Sequence, residues 1–147
     1  MAQAFLGNPY LLLLDELTHG LDVQEREAVF RLVRRKPADR LVIFSTHVPA
    51  DVERIAQELI VLNEGEVVYL GSVEGFRSRV AGMVSEVRLP EVEALNRLET
   101  CCVSRVREDG QDCILRVIGQ PPDGYPAVAV TETVEDAYIY TLRKVLS

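Results

Sequence analysis

The feature that most constrains this chain is a run apolar at every position, Tyr10-Leu11-Leu12-Leu13-Leu14, which stops abruptly at two carboxylates, Asp15-Glu16. A half-exposed strand alternates apolar and polar residues. A short run apolar throughout fits a strand covered on both faces, as in a parallel sheet flanked by helices. Ligands of open α/β sheets bind outside the carboxyl ends of the strands. Asp15 and Glu16 therefore fall where chemistry is expected. One carboxylate can hold a hard cation such as magnesium, and the next can orient or deprotonate a water. The plainer alternative is that both begin a solvated loop.

A second wholly apolar stretch, Leu41-Val42-Ile43-Phe44, is expected to be another buried strand, and Ser45-Thr46-His47 follows it. Between the two lies a helix. Asp22 and Glu25 have the spacing of a capping box, Ala28, Val29, Leu32 and Val33 keep helical spacing, and Pro37 ends the element. Pro49 suits a first helical turn, and Val52, Ile55, Ala56 and Leu59 form one stripe. Strand, helix, strand, helix in that order predicts a right-handed parallel crossover unit. His47 at the second strand end would reach the same crevice as the carboxylates and bond a terminal phosphate oxygen. The alternative is an ordinary helix-capping or packed histidine. Residues 1–6 read as the last turns of a helix stopped by Gly7-Asn8-Pro9.

Further on, residues 59–62 and 67–70 flank a four-residue loop, Asn63-Glu64-Gly65-Glu66, as a hairpin. A short helix is expected after Ser72. Beyond residue 80 the texture changes. A strand at 84–89, a helix with Val92, Leu95 and Leu98 on one face, and a hairpin around Glu108-Asp109-Gly110-Gln111 come first. A strand at 127–130 follows, then a helix capped by Thr133 and Asp136 with Val134, Tyr138, Leu142 and Val145 on one face. Two domains are expected: residues 1–80 as α/β, and 81–147 as a small α+β accessory domain.

Sixteen basic residues against 23 acidic ones leave a net charge of −7. That balance argues against a nucleic-acid partner, which needs a basic face. The apolar runs are far shorter than the ~20 residues of a membrane span, so no direct membrane insertion and a soluble, cytoplasmic chain are expected. Cys101, Cys102 and Cys113 make an odd set without a Cys-x-x-Cys spacing, which favours free thiols over a zinc site or disulfide framework.

Taken in order, these motifs closely resemble the second half of the nucleotide-binding subunit of ABC transporters. Residues 11–16 resemble the Walker B strand, His19-Gly20-Leu21-Asp22 the D-loop, and Ser45-Thr46-His47 the H-loop. Residues 59–71 are similar to the hairpin that follows in that family, and residues 2–9 to the helix end before Walker B. The resemblance implies a partial P-loop NTPase-like (RecA-like) parallel sheet over residues 1–80. It implies that Asp15 holds magnesium, that Glu16 is the general base, that His47 contacts the γ-phosphate of ATP, and that Asp22 signals across a dimer interface. Phosphoryl transfer depends on positioning and charge stabilisation, and these residue types suit it. The implied partners are a membrane permease subunit and a second copy of the chain. That would place the protein at the inner face of the membrane.

Departures from the family pattern are as informative. No Gly-x-x-x-x-Gly-Lys-[Ser/Thr], Leu-Ser-Gly-Gly-Gln or recognisable Q-loop occurs in the 147 residues. The first of these supplies the backbone cradle and lysine for the phosphates. Leu17 stands where the family usually has proline, and His19 where a small residue is common. The expected function is thus an ABC ATPase subunit present as a truncated C-terminal half, inactive alone. The alternative is a non-catalytic module that self-associates, or pairs with a separate N-terminal half, through an open sheet edge and apolar surface. A weaker third reading, an unrelated magnesium-dependent hydrolase, accounts for Asp15 and Glu16 but not for the D-loop and H-loop motifs.

Overall fold

The computed structural model describes residues 9–35 and 40–145. The expected helix end at 1–6, its stop at 7–9 (apart from Pro9), and Pro37 lie outside the described residues. The chain divides into two compact units, Met1–Ala56 and Gln57–Ser147, where the sequence suggested a division at residue 80.

In the first unit, β1 (Leu11–Leu14) pairs in parallel with β2 (Leu41–Phe44), Leu14 opposite Phe44. The helix α1 (Val23–Arg34) connects them and α2 (Pro49–Ile55) follows β2. The Asp22 carboxylate caps α1, accepting from the backbone N–H of Gln24 and Glu25 at 2.8 Å, while Glu25 reaches back to the Asp22 N–H. This is the expected capping box. Pro49 opens α2, where its missing N–H costs nothing.

The core of this unit joins Leu12 and Leu14 of β1 to Val29, Phe30 and Val33 of α1, with Leu17 from the following loop. Among the described residues, one face of the pair is covered. Leu11, Leu13, Leu41 and Ile43 are 49%, 66%, 57% and 51% exposed. The register sets Leu11 beside Leu41 and Leu13 beside Ile43, so these four make one continuous apolar face. The expectation of strands buried on both faces is therefore corrected, because α1 covers one face and none of the four lies in a buried cluster. The wider parallel sheet is not found among the described residues either, where β1–β2 is the one parallel pair and the other strands pair antiparallel. The fold is mixed α/β.

The second unit holds a hairpin of β3 (Glu58–Asn63) and β4 (Glu66–Ser72), then α3 (Val73–Arg77) capped by Ser72. Its loop is two residues rather than four. Glu64 and Gly65 both have positive φ, 50° and 84°, as the tight turn matching strand twist requires. A four-stranded antiparallel sheet follows, in the order β6 (Cys102–Asp109), β7 (Asp112–Ile118), β5 (Val84–Pro90), β8 (Ala127–Ala129). Helices α4 (Glu91–Thr100) and α5 (Val134–Val145) complete it. Val87, Leu89, Ala94, Cys113, Leu115 and Val117 form its core, and all three cysteines are free thiols.

A buried charge ties α5 to the sheet. Asp136 is fully buried and accepts from Nε and Nη2 of Arg116 at 2.8–3.1 Å, from Ser104, and from the Thr133 N–H and hydroxyl at 2.8 Å. Burial by itself would raise this carboxyl. The bonds from Arg116, Ser104 and Thr133 outweigh it and hold the group below the ordinary carboxylate value.

Candidate functional site at the β1 and β2 carboxyl ends

Parallel pairing in register puts the residues after both strands at one edge. Leu14 faces Phe44, so Asp15 and Ser45 are neighbours. The Ser45 N–H donates to the Leu14 carbonyl at 2.9 Å, and the Leu17 N–H to the Ser45 carbonyl at 3.2 Å, which carries the ladder past the strands. A proline at position 17 would lack that donor. Leu17 is also fully buried in the core, which roots the loop that bears the polar groups.

The side chains then converge. The Ser45 hydroxyl donates to Asp15 Oδ1 at 2.6 Å and accepts from the Glu16 N–H at 2.8 Å. One serine thus orients both acidic residues. Glu16 Oε2 lies 2.8 Å from His47 Nδ1. The Glu16 carbonyl accepts from the His19 N–H at 3.0 Å, closing a tight turn. The His19 and His47 rings lie 6.2 Å apart at 63°. Glu16 has φ of +48° and Gly20 of +72°, and the loop reverses within these few residues before Asp22 caps α1. Asp15, Glu16, His19 and His47 are all exposed.

The structure therefore brings together Asp15, Glu16 and His47, the three residues singled out for hydrolytic chemistry. Asp22 serves as the cap of α1, its carboxylate engaged with backbone N–H groups.

Two supporting ties carried no signal in the sequence. Asp51, in the first turn of α2, is fully buried, accepts from the Thr18 hydroxyl and is paired with Arg26 of α1. It ties the β1–α1 loop to the helix that follows His47. Glu27 and Arg54 add a second tie between α1 and α2, and the Arg54 guanidinium lies 4.9 Å from the Phe30 ring centre. An acidic residue at a helix start is ordinarily solvated and favoured by the helix dipole, so nothing local marked Asp51. Of the residues that support Asp15, Glu16 and His47, Ser45 is the one that lies inside a sequence motif, Ser45-Thr46-His47.

Comparison with known proteins finds partial matches to ABC transporter ATP-binding proteins. The chain is 28% identical to the uncharacterised ABC transporter ATP-binding protein YdbJ of Bacillus subtilis, over 95% of this chain and 49% of YdbJ. The chain is similar to part of an ABC transporter ATP-binding protein. It is also 30% identical to ABC transporter A family member 8 of Dictyostelium discoideum, over 59% of this chain and 11% of that protein. To the human cholesterol transporter ABCA5 it is 37% identical, over 52% of this chain and 5% of the transporter. The chain thus spans about half the length of one ABC relative and far less of the others. No family model matches it. No helix among the described residues is long and apolar enough to cross a membrane.

Proposed function

We propose that this chain supplies the water-activating side of an ABC-type ATPase site, in a protein that couples ATP hydrolysis to transport through a membrane permease. The observation that carries the reading is the 2.8 Å contact between Glu16 and His47 at the carboxyl ends of two adjoining parallel strands, in a chain similar to part of an ABC transporter ATP-binding protein. The donor set at Asp15 fits magnesium: its Oδ1 accepts from Ser45, and a carboxylate oxygen suits a hard cation. Magnesium bound there would neutralise charge on the phosphates.

The chain's own residues do the rest. Ser45 fixes Asp15 and the Glu16 backbone. Glu16 orients a water and takes its proton, and hydrogen bonding to His47 Nδ1 sets the direction of that carboxylate. His47 keeps Nε2 for a terminal phosphate oxygen. Asp22 begins α1 next to this loop and communicates with a second copy of the chain.

The 147-residue polypeptide has no phosphate-cradling loop, so it is inactive by itself and does not bind ATP with low-micromolar affinity in calorimetry. The central test is complementation with a polypeptide that carries a phosphate loop. There Glu16→Gln lowers steady-state ATP turnover by about 10²–10⁴-fold, the usual worth of a general base, while ATP binding is spared. Retained turnover would remove Glu16 from this role.

One observation favours a second reading, a module that associates without catalysis. The open face of Leu11, Leu13, Leu41 and Ile43 is the kind of apolar surface that marks an interaction site. Under this reading, sedimentation at rising concentration reveals self-association, and a clean monomer throughout counts against it.

A further inference from the structure

Two imidazoles and one carboxylate meet at the turn between β1 and α1. One ligating atom from each of Glu16, His19 and His47 lies within 4.8 Å of the other two. We propose that these three residues form a binding site for a borderline transition-metal dication, with zinc as the best fit. The site is distinct in chemistry from the oxygen ligand at Asp15: magnesium prefers oxygen donors, whereas imidazole nitrogen suits zinc, cobalt and nickel. Two histidines with one glutamate, leaving an open position for water, form a donor set that zinc uses in catalytic centres.

The main chain is fixed and the side chains are exposed, as metal capture requires. Glu16 is held by its N–H bond to Ser45, and His19 by its N–H bond to the Glu16 carbonyl. Leu17 and Thr18, between them, are buried in the core and bonded to buried Asp51 respectively. All three ligand side chains are exposed and can turn without disturbing the core. Tetrahedral zinc with bonds near 2.0–2.1 Å needs ligand atoms about 3.4 Å apart, and His47 and Glu16 are already at 2.8 Å. Closing the set requires rotation of the His19 ring, with its backbone left in place. Metal binding releases any proton shared between Glu16 and His47, because ligands must be deprotonated. A bound ion would also withdraw those two groups from the water-activating role. That consequence rests on the ATPase reading; the site itself does not.

The test is a Co²⁺ titration of the 147-residue chain, followed by visible absorption. One Co²⁺ per chain is expected, with d–d bands of a four- or five-coordinate ion and no thiolate charge-transfer band. Zn²⁺ displaces it and excess Mg²⁺ does not. His19→Ser lowers Co²⁺ affinity by about a hundredfold, given that even an outer-shell partner is worth 10–100-fold. Circular dichroism checks that the variant folds. Absence of the bands, bands indifferent to His19→Ser, or charge transfer that disappears with Cys101→Ser and Cys102→Ser would each overturn the site. The outcome is independent of the turnover measurement: Glu16→Gln with retained ATPase activity removes the hydrolytic reading, and cobalt binding by the unmodified chain is unaffected by that result.

Discussion

Asp51 and Asp136 are both fully buried and both paired with an arginine, yet the two units employ them differently. Asp136 gathers Arg116, Ser104 and Thr133 and fastens the start of α5 onto β6 and β7. Its arginine is itself nearly enclosed, with the side chain 12% exposed. Asp51 has Thr18 and one nitrogen of Arg26, whose side chain is 33% exposed. The first acid joins secondary structures around a closed core. The second joins a loop to a helix beside an exposed polar site. The buried charge in 57–147 joins a helix to a sheet, whereas the one in 1–56 holds Thr18, two residues from Glu16.

The largest expected effect tests the first half of that contrast. Asp136→Ala strands an enclosed guanidinium and should cost about 3–5 kcal/mol, as breaking a buried ion pair does, read by urea denaturation. Asp51→Ala should cost less, about 2 kcal/mol, because Arg26 can turn to water and the loss is closer to that of one charged hydrogen bond. It should also speed amide exchange across residues 15–19 and weaken the Glu16–His47 contact. Equal costs for the two variants would erase the distinction.

Acid sharpens it further. The folded Asp136 carboxyl lies below its unfolded value. Its stabilisation is therefore complete above the unfolded pKa near 4 and is lost as pH falls through the lower folded value. Melting temperature should drop on that acid limb in the unmodified chain, and more gently in Asp136→Asn. Smallest of all is the double change Leu13→Ser with Ile43→Ser. Both side chains are already half or more in water, so stability should move by less than about 0.5 kcal/mol, while any self-association in sedimentation should fall.

Local chemistry was legible in the sequence; which face becomes covered was not. The capping box at Asp22, the Pro49 helix start, both hairpins and the strands at 11–14 and 41–44 all carry signals within a few residues. Periodicity says which residues share a face, and tertiary packing chooses the face to bury. In α1 the sheet takes Val29, Phe30 and Val33 and leaves Leu32 about half exposed. In α4 the apolar set Val92, Leu95 and Leu98 faces solvent, and small Ala94 allows the helix to approach the sheet closely. In α5 the buried set is Val134, Asp136, Ala137 and Thr141, with Val145 exposed. The hairpin loops came out shorter than expected because Glu64-Gly65 and Gly110-Gln111 suffice to turn the chain. The candidate site was readable because strand ends fix where Asp15, Glu16 and His47 emerge. The support from Asp51, Arg26 and Thr18 was not, since it joins positions up to 33 residues apart with no shared pattern.

Glu16 sits at φ +48°, a left-handed backbone that side chains with a Cβ resist by about 1 kcal/mol and glycine accepts freely. Exchanging it for glycine should therefore leave the fold no weaker, and measurably tougher if anything, while erasing the acid. Robustness and reactivity draw on the same position from opposite directions, so a search for hardier variants of this chain would discard its best candidate base first.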